Sequence, residues 1–134
     1  MRKIFILFVT LCIFTITGCA TGADVHPRFD GLYYRQYESI TKYLRFFEDG
    51  RVINANTDGR FDTSITEWFD DYFTENQGTY SVNGNRIEFY VESEDGRVEY
   101  RGRIRRAQKR LNLNMFSLIN FNRQRFTFTY NRGV

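Results

Sequence analysis

The side chains that most often carry out catalysis are few in this 134-residue chain. The single histidine, His26, stands beside Pro27 in a short polar stretch, where we expect an exposed side chain rather than a general base. Ser64 precedes an apolar run and has the position of a helix cap. Asp70 and Asp71 are adjacent, and neighbours on a helix point about 100° apart, so they do not form a chelating face. We therefore predict a protein that is not an enzyme, with no metal site and no cofactor.

The side chain with the most specific chemistry is the thiol of Cys19. It follows a segment that begins with Arg2 and Lys3 and continues as an almost wholly apolar run over residues 4–16. A positive start, a short apolar run and small residues at the exit are typical of a secretory signal, and the run is too short for a comfortable membrane span. The tetrapeptide ITGC at residues 16–19 resembles the lipobox of bacterial lipoproteins. The resemblance implies that Cys19 receives a diacylglycerol, that the signal is cut before it, and that its new amino group is acylated, with palmitate among the acyl chains.

These features divide the chain into three parts. We predict a signal peptide over residues 1–18, a lipid-anchored tether over 19–30 and one domain over 31–134. Cys12 leaves with the signal, so the mature chain has no disulfide. The resemblance places the protein in a bacterial cell envelope and, because Ala20 follows the cysteine, at the outer membrane of a Gram-negative cell; in a Gram-positive cell the same anchor means the outer face of the plasma membrane. The other interpretation is an ordinary signal peptide with an incidental cysteine.

The charge balance of the mature chain is nearly neutral. The 19 basic residues become 17 once Arg2 and Lys3 are removed, against 16 acidic residues. A nearly neutral secreted domain gives no reason to expect a nucleic-acid partner. The abundant Phe and Tyr residues favour strands around a well-filled interior.

The mature chain reads as short strands separated by tight turns. Asp49-Gly50, Asn83-Gly84 and Asp95-Gly96 each stand between strand-like runs, and such dipeptides favour two-residue type I′ hairpins. With these turns, Val91 faces Tyr100, Ile87 faces Ile104, and Tyr80 faces Ile87. Apolar pairs then share one face, as the two-residue repeat of a strand requires. The later strands add inward positions at Leu111, Leu113, Met115, Phe126, Phe128 and Tyr130. We expect a mainly β domain, an antiparallel up-and-down meander of about eight strands that forms a closed barrel or a curled sheet.

One segment between the third and fourth strands has a helical rather than a strand repeat. Apolar residues recur at helical spacing over 65–73, and Ser64 with Glu67 matches a capping box. We predict a short helix from Ile65 to Phe73 that covers a barrel end or a sheet face. It would serve as a packing helix or as a lid over a cavity.

The meander resembles small bacterial lipocalin-like lipoproteins. The resemblance rests on Gly31-x-Tyr33 in the first strand, on GTYSVNGNRIEF and on the YRGRI and LNL runs. It implies that an arginine of the last strand, Arg123 or Arg125, packs over Tyr33. It also implies binding of a small apolar or amphipathic molecule, for which the inward aromatic residues are the candidates: Tyr33, Phe46, Trp68, Tyr80, Phe89, Tyr100, Phe126 and Phe128.

Charge is unevenly distributed along the domain. Residues 58–75 contain six acids and one base, whereas residues 97–110 contain seven bases and one acid. Arg101, Arg103 and Arg105 alternate and therefore share one strand face, which is outward if Tyr100 and Ile104 are inward. This face is either a solvated wall with cross-strand ion pairs or, together with Asp70 and Asp71 of the acidic segment, a docking surface for a partner such as an anionic lipid or a protein.

Two classes of function follow. In the first, the protein is a lipid-anchored binding protein with a small apolar ligand inside the barrel. In the second, the interior is filled, and the charged outer faces make it a structural or protein-interaction lipoprotein, which includes an inhibitor of a hydrolase. Interior volume discriminates between them.

Overall fold

The computed structural model describes residues 22–66, 69 and 76–133. The predicted signal peptide, Cys12 and Cys19 lie outside these residues, and so do Trp68, Asp70 and Asp71. The eight strands that the described residues form are β1 (Leu32–Tyr37), β2 (Ile40–Phe46), β3 (Arg51–Asp58), β4 (Gln77–Asn83), β5 (Arg86–Ser93), β6 (Gly96–Arg105), β7 (Arg110–Ser117) and β8 (Arg123–Asn131).

The strands form a closed antiparallel barrel in sequence order, because β1 also pairs with β8. The predicted fold class is confirmed. All the later inward positions are also correct: Leu111, Leu113, Met115, Phe126 and Phe128 are buried, and Tyr130 packs against the same interior cluster. Closure removes sheet edges wherever the pairing is continuous.

The hairpin registers differ from the prediction by two residues. Phe89 lies opposite Tyr100, and Ile87 lies opposite Gly102 rather than Ile104. Tyr80 likewise lies opposite Phe89 instead of Ile87. Two residues is the side-chain repeat of a strand, so every side chain keeps the face that was predicted for it.

The physical reason is the place of glycine within each turn. Positive φ falls on Gly50 (+91°), Gly84 (+60°) and Gly96 (+134°), whereas a type I′ turn needs positive φ at both central residues. Gly84 is the first central residue of its turn, and Gly96 comes after the central pair of its own. Each glycine therefore supplies a positive φ, but none of these turns is of type I′.

The segment after β3 packs on the outside of the barrel. Ile65 and Phe69 are buried in a second apolar cluster with Leu32, Tyr43 and Ile53, residues of the outward faces of β1, β2 and β3. The helix predicted between β3 and β4 is not among the elements that the described residues form; Ile65, Thr66 and Phe69 have helical backbone, and the rest of residues 65–73 lies outside the described chain. The Asp62 carboxylate accepts the Ser64 backbone N–H at 2.9 Å, at the start of this turn. The predicted capping box of Ser64 with Glu67 stays a prediction, because Glu67 lies outside the described residues. The segment therefore covers a sheet face.

One end of the barrel is closed by the segment predicted as tether. Val25 and Phe29 pack on the interior cluster, and Val25 N donates to the Gly84 carbonyl oxygen at 2.7 Å. The Asp24 carboxylate accepts the Gly84 N–H at 2.6 Å. The chain therefore enters the barrel at the turn between β4 and β5, and we call this the closed end.

The other end is splayed along two seams. β1 pairs with β8 only from Leu32 to Tyr34, so the strand from Arg35 onward is not paired with β8. β3 pairs with β4 only from Arg51 to Ile53. At this splayed end the strands β1, β2 and β3 therefore separate from the other five.

Candidate functional site

Most aromatic residues predicted to line a ligand cavity lie in the barrel interior and contact one another. The Phe46 ring meets the rings of Tyr33, Tyr80 and Phe89 at centroid distances of 5.7, 5.3 and 5.3 Å, each nearly perpendicular. Phe89 stacks on Tyr100 at 4.7 Å. These are favourable aromatic geometries at close packing. Among the described residues the rings meet at the centre of the barrel.

The remaining members of this predicted set are Phe126, Phe128 and Trp68. Phe126 and Phe128 are buried, with their ring centroids 6.1 Å apart, and Trp68 lies outside the described residues. The ligand prediction for this set stays a prediction, and the ring contacts favour the filled interior that distinguishes the second class of function.

Buried hydroxyl groups anchor the interior. The Tyr33 hydroxyl donates to the Gln108 carbonyl oxygen at 2.6 Å and accepts from the Arg28 backbone N–H at 2.9 Å. Burial raises the pKa of Tyr33 to about 12. Tyr100 has its pKa raised to about 12 for the same reason, and its hydroxyl accepts a hydrogen bond from Asn54 Nδ2 at 3.2 Å. Both groups stay neutral and act as structural hydrogen-bonding partners.

The arginine expected over Tyr33 does not come from β8. Arg123 stacks over the Phe116 ring at 4.3 Å, and Arg125 lies on the outer wall. Tyr33 instead packs on Tyr130, whose ring carries the Arg28 guanidinium at 4.6 Å. The prediction from the resemblance was wrong because the N-terminal segment folds back over this end of the barrel.

The outer wall of β5–β8 carries a groove lined by arginines. The predicted stripe of Arg101, Arg103 and Arg105 points outward, and the groove has a volume of about 700 Å³. Three arginines of β5, β7 and β8 also line it: Arg86, Arg110 and Arg125. We call these six residues the arginine groove. The last three were not predicted, because only the pairing of β5, β7 and β8 in the barrel brings them onto the same wall as the β6 stripe.

Like charges face each other in the arginine groove. Arg86 lies directly opposite Arg103, and Arg105 lies opposite Arg110. One carboxylate, that of Glu88, lies within the groove lining, on the residue directly across from Arg101. Direct cross-strand neighbours have Cβ atoms about 5 Å apart, and like charges at that distance are destabilising.

Two of the groove arginines donate hydrogen bonds to neutral side-chain oxygens rather than to carboxylates. Arg103 donates to the Asn85 side-chain oxygen at 2.9 Å, and Arg125 donates to that of Asn114 at 3.4 Å. None of the salt bridges among the described residues includes a groove arginine. The groove arginines therefore form no cross-strand ion pair in the described part of the chain. The ion pair on the outer face of β5 and β6 joins Arg97 to Glu92, outside the groove.

The other residues considered for catalysis have structural surroundings. The His26 carbonyl oxygen accepts a hydrogen bond from the Gln108 side chain at 2.7 Å. Within residues 22–66, 69 and 76–133, no group of three or more His, Cys, Asp or Glu is placed to hold a metal ion. Over the same residues, no helix has the length and apolar content needed to cross a bilayer.

The fold and site define a small closed β-barrel with a packed interior and a cationic outer wall. Comparison with protein-family models, with curated proteins and with solved structures finds no match for this chain.

Proposed function

We propose that this protein is a non-enzymatic lipoprotein of a bacterial cell envelope, anchored through Cys19, whose arginine groove binds the anionic headgroups of the membrane. The observation that carries the proposal is the pair of like-charge contacts, Arg86 with Arg103 and Arg105 with Arg110. Such contacts cost stability in the free protein, and a bound anion relieves them. Guanidinium groups are well suited to phosphate because they donate two parallel hydrogen bonds.

The path of the chain supports the membrane itself as the partner of the groove, because the tether reaches the barrel close to the groove. Asp24 is held at the Gly84 turn, and Arg86 begins the strand just after that turn. Cys19 and Asp24 are five positions apart in the sequence, and a chain of that length spans at most about 18 Å. An acylated Cys19 therefore keeps the nearer part of the groove close to the membrane surface. Acyl chains combined with a basic surface are a known route to firm membrane association.

The alternative is an apolar ligand inside the barrel, as the lipocalin-like resemblance implies. A ligand at that position would have to separate the rings of Phe46, Phe89 and Tyr100, which are now in contact. The second alternative is a protein partner of the outer faces, such as a hydrolase, and the absence of binding to anionic vesicles in the test below would favour it.

The test measures binding of the mature chain, without its acyl groups, to vesicles of phosphatidylglycerol and of phosphatidylcholine. We expect binding to the anionic vesicles alone, weakening as salt is raised. The Arg103→Gln, Arg105→Gln double variant should bind about 30-fold more weakly, at ~1 kcal/mol for each cation near the surface. Arg51→Gln, Arg97→Gln is the control with equal net charge, because these arginines lie outside the groove. Equal loss in both double variants, or equal binding to both lipids, contradicts the proposal.

A further inference from the structure

A second cationic pair lies at the seam between β1 and β8, at the splayed end. Arg35 and Lys42 are direct cross-strand partners, and both lie on the inward face of their strands. Both cations lie over the same buried ring: the Arg35 guanidinium is 4.4 Å and the Lys42 ammonium 4.9 Å from the Phe126 centroid. The closeness of these two charges is unusual because each is half-buried.

Among residues 22–66, 69 and 76–133, no hydrogen-bond or ion-pair partner of Arg35 or Lys42 is a carboxylate. Arg35 Nη1 donates to the Arg125 carbonyl oxygen at 3.1 Å, which is a neutral acceptor. Asp58 lies diagonally across from Lys42 in the β2–β3 register, but its side chain is exposed and forms no salt bridge with Lys42. Burial, together with the charge of Arg35, lowers the pKa of Lys42. Stacking on Phe126 offsets part of the repulsion, and an oxyanion between the cations would offset more.

An exposed apolar pair continues the same face. Tyr37 lies opposite Ile40, one repeat further along both strands, and their exposed fractions are 56% and 41%. Two strand residues span about 7 Å. The inward face of the β1–β2 hairpin therefore presents two cations followed by an accessible apolar surface.

We propose that Arg35 and Lys42 bind the carboxylate of an apolar organic acid at the seam between β1 and β8. The apolar body of the acid lies on Tyr37 and Ile40. This site is distinct from the arginine groove, which is formed by strands β5–β8, and from the packed centre of the barrel. It does not depend on lipid anchoring.

The lysine content of the chain provides an internal control. Lys3, Lys42 and Lys109 are its lysines, and Lys109 lies in the turn before β7 at the closed end. We would dimethylate the lysines of the full chain with isotope-labelled formaldehyde, in nanodiscs of phosphatidylcholine, and follow the methyl signals by NMR while adding octanoate. The Lys42 signal should move and saturate and its pKa should rise, because a carboxylate favours the charged amine. The Lys109 signal should stay in place.

Two other probes separate the charged from the apolar contribution. Acetate should bind about tenfold more weakly, because it lacks the apolar body, and 1-octanol should bind about tenfold more weakly because it lacks the charge. Octanol binding as tightly as octanoate would overturn the proposal. So would equal movement of the Lys42 and Lys109 signals, or no movement of the Lys42 signal.

Variants complete the test, with binding followed by calorimetry. Lys42→Gln should weaken octanoate binding about tenfold and raise the melting temperature, because it removes a charge facing Arg35, so a loss of binding is not mistaken for unfolding. Lys109→Gln makes the same chemical change and should leave binding as it was. The Arg103→Gln, Arg105→Gln variant should also keep octanoate binding, so this proposal and the proposed function fail independently.

Discussion

The loops at the closed end of this barrel and the strands of the arginine groove differ in how their arginines are paired. At the closed end, Arg28 forms a salt bridge of 3.0 Å with Asp30, and Arg51 forms one of 2.7 Å with Asp49. On the wall, Arg86 and Arg103 face each other without a carboxylate between them. The difference indicates that the closed end is arranged for the stability of the free protein, whereas the wall keeps a repulsion that a bound anion can relieve.

Among these predictions, we expect the largest change in stability from a substitution in the barrel interior. Phe46→Ala should lower the free energy of unfolding by about 3–5 kcal/mol, because it removes a fully buried ring and leaves a cavity among Tyr33, Tyr80 and Phe89. Urea unfolding measures the change. Phe121→Ala, at a position 74% exposed, is the control and should change stability little. A loss below 1 kcal/mol at Phe46 would mean that the interior is not closely packed.

The closed end also depends on a buried hydroxyl. Tyr33→Phe should cost about 1–3 kcal/mol, because the Gln108 carbonyl oxygen and the Arg28 N–H both lose their partner. Thermal unfolding compares this variant with Tyr37→Phe, whose side chain is exposed. Similar melting temperatures for the two variants would show that the N-terminal segment does not depend on this hydroxyl.

The faces of the strands could be predicted from the sequence, but the contacts between strands could not. Phe89 and Tyr100 were assigned to the interior correctly, since the alternation of apolar residues survives a register shift of two. Their pairing was missed because glycine supplies positive φ from different positions in a turn, and the sequence does not show which position is used. The closing of one end by Val25 and Phe29 was missed because the segment around them is polar.

The candidate site could be predicted only along a single strand. Arg101, Arg103 and Arg105 share a face by their spacing, so the stripe on β6 was found. Its neighbours Arg86 and Arg110 depend on the register of two hairpins. Arg35 and Lys42 occupy positions of an inward face where alternation predicts apolar residues, and only the separation of β1 from β8 makes room for them.

Substitution of a groove arginine should stabilise the protein, whereas substitution in the interior should destabilise it. Arg86→Gln should raise the free energy of unfolding by about 0.5 kcal/mol, because it removes a like charge opposite Arg103. Arg97→Gln is the matched control on the neighbouring strand; it breaks the ion pair with Glu92 and should leave stability unchanged or slightly lower. Urea unfolding at low salt gives both values. Destabilisation by Arg86→Gln would contradict the comparison.

The smallest expected effect is the pH dependence of the closed end. Hydrogen bonds from Arg28 and from the Tyr130 hydroxyl lower the pKa of Asp30 from 3.8 to about 2. The folded pKa lies below the unfolded one, so the stabilisation is present above pH ~4 and is lost as pH falls towards 2. Asp30 is 45% exposed, so solvent screening limits the contribution to about 0.5 kcal/mol. Asp30→Asn should therefore reduce the slope of unfolding free energy against pH between 4 and 2, with the remaining slope coming from groups such as Asp49, whose pKa is lowered by Arg51. An unchanged slope would mean that the hydrogen bonds of Arg28 and Tyr130 do not lower the pKa of Asp30 in solution. The ion pair of Arg28 with Asp30 would then not stabilise the closed end.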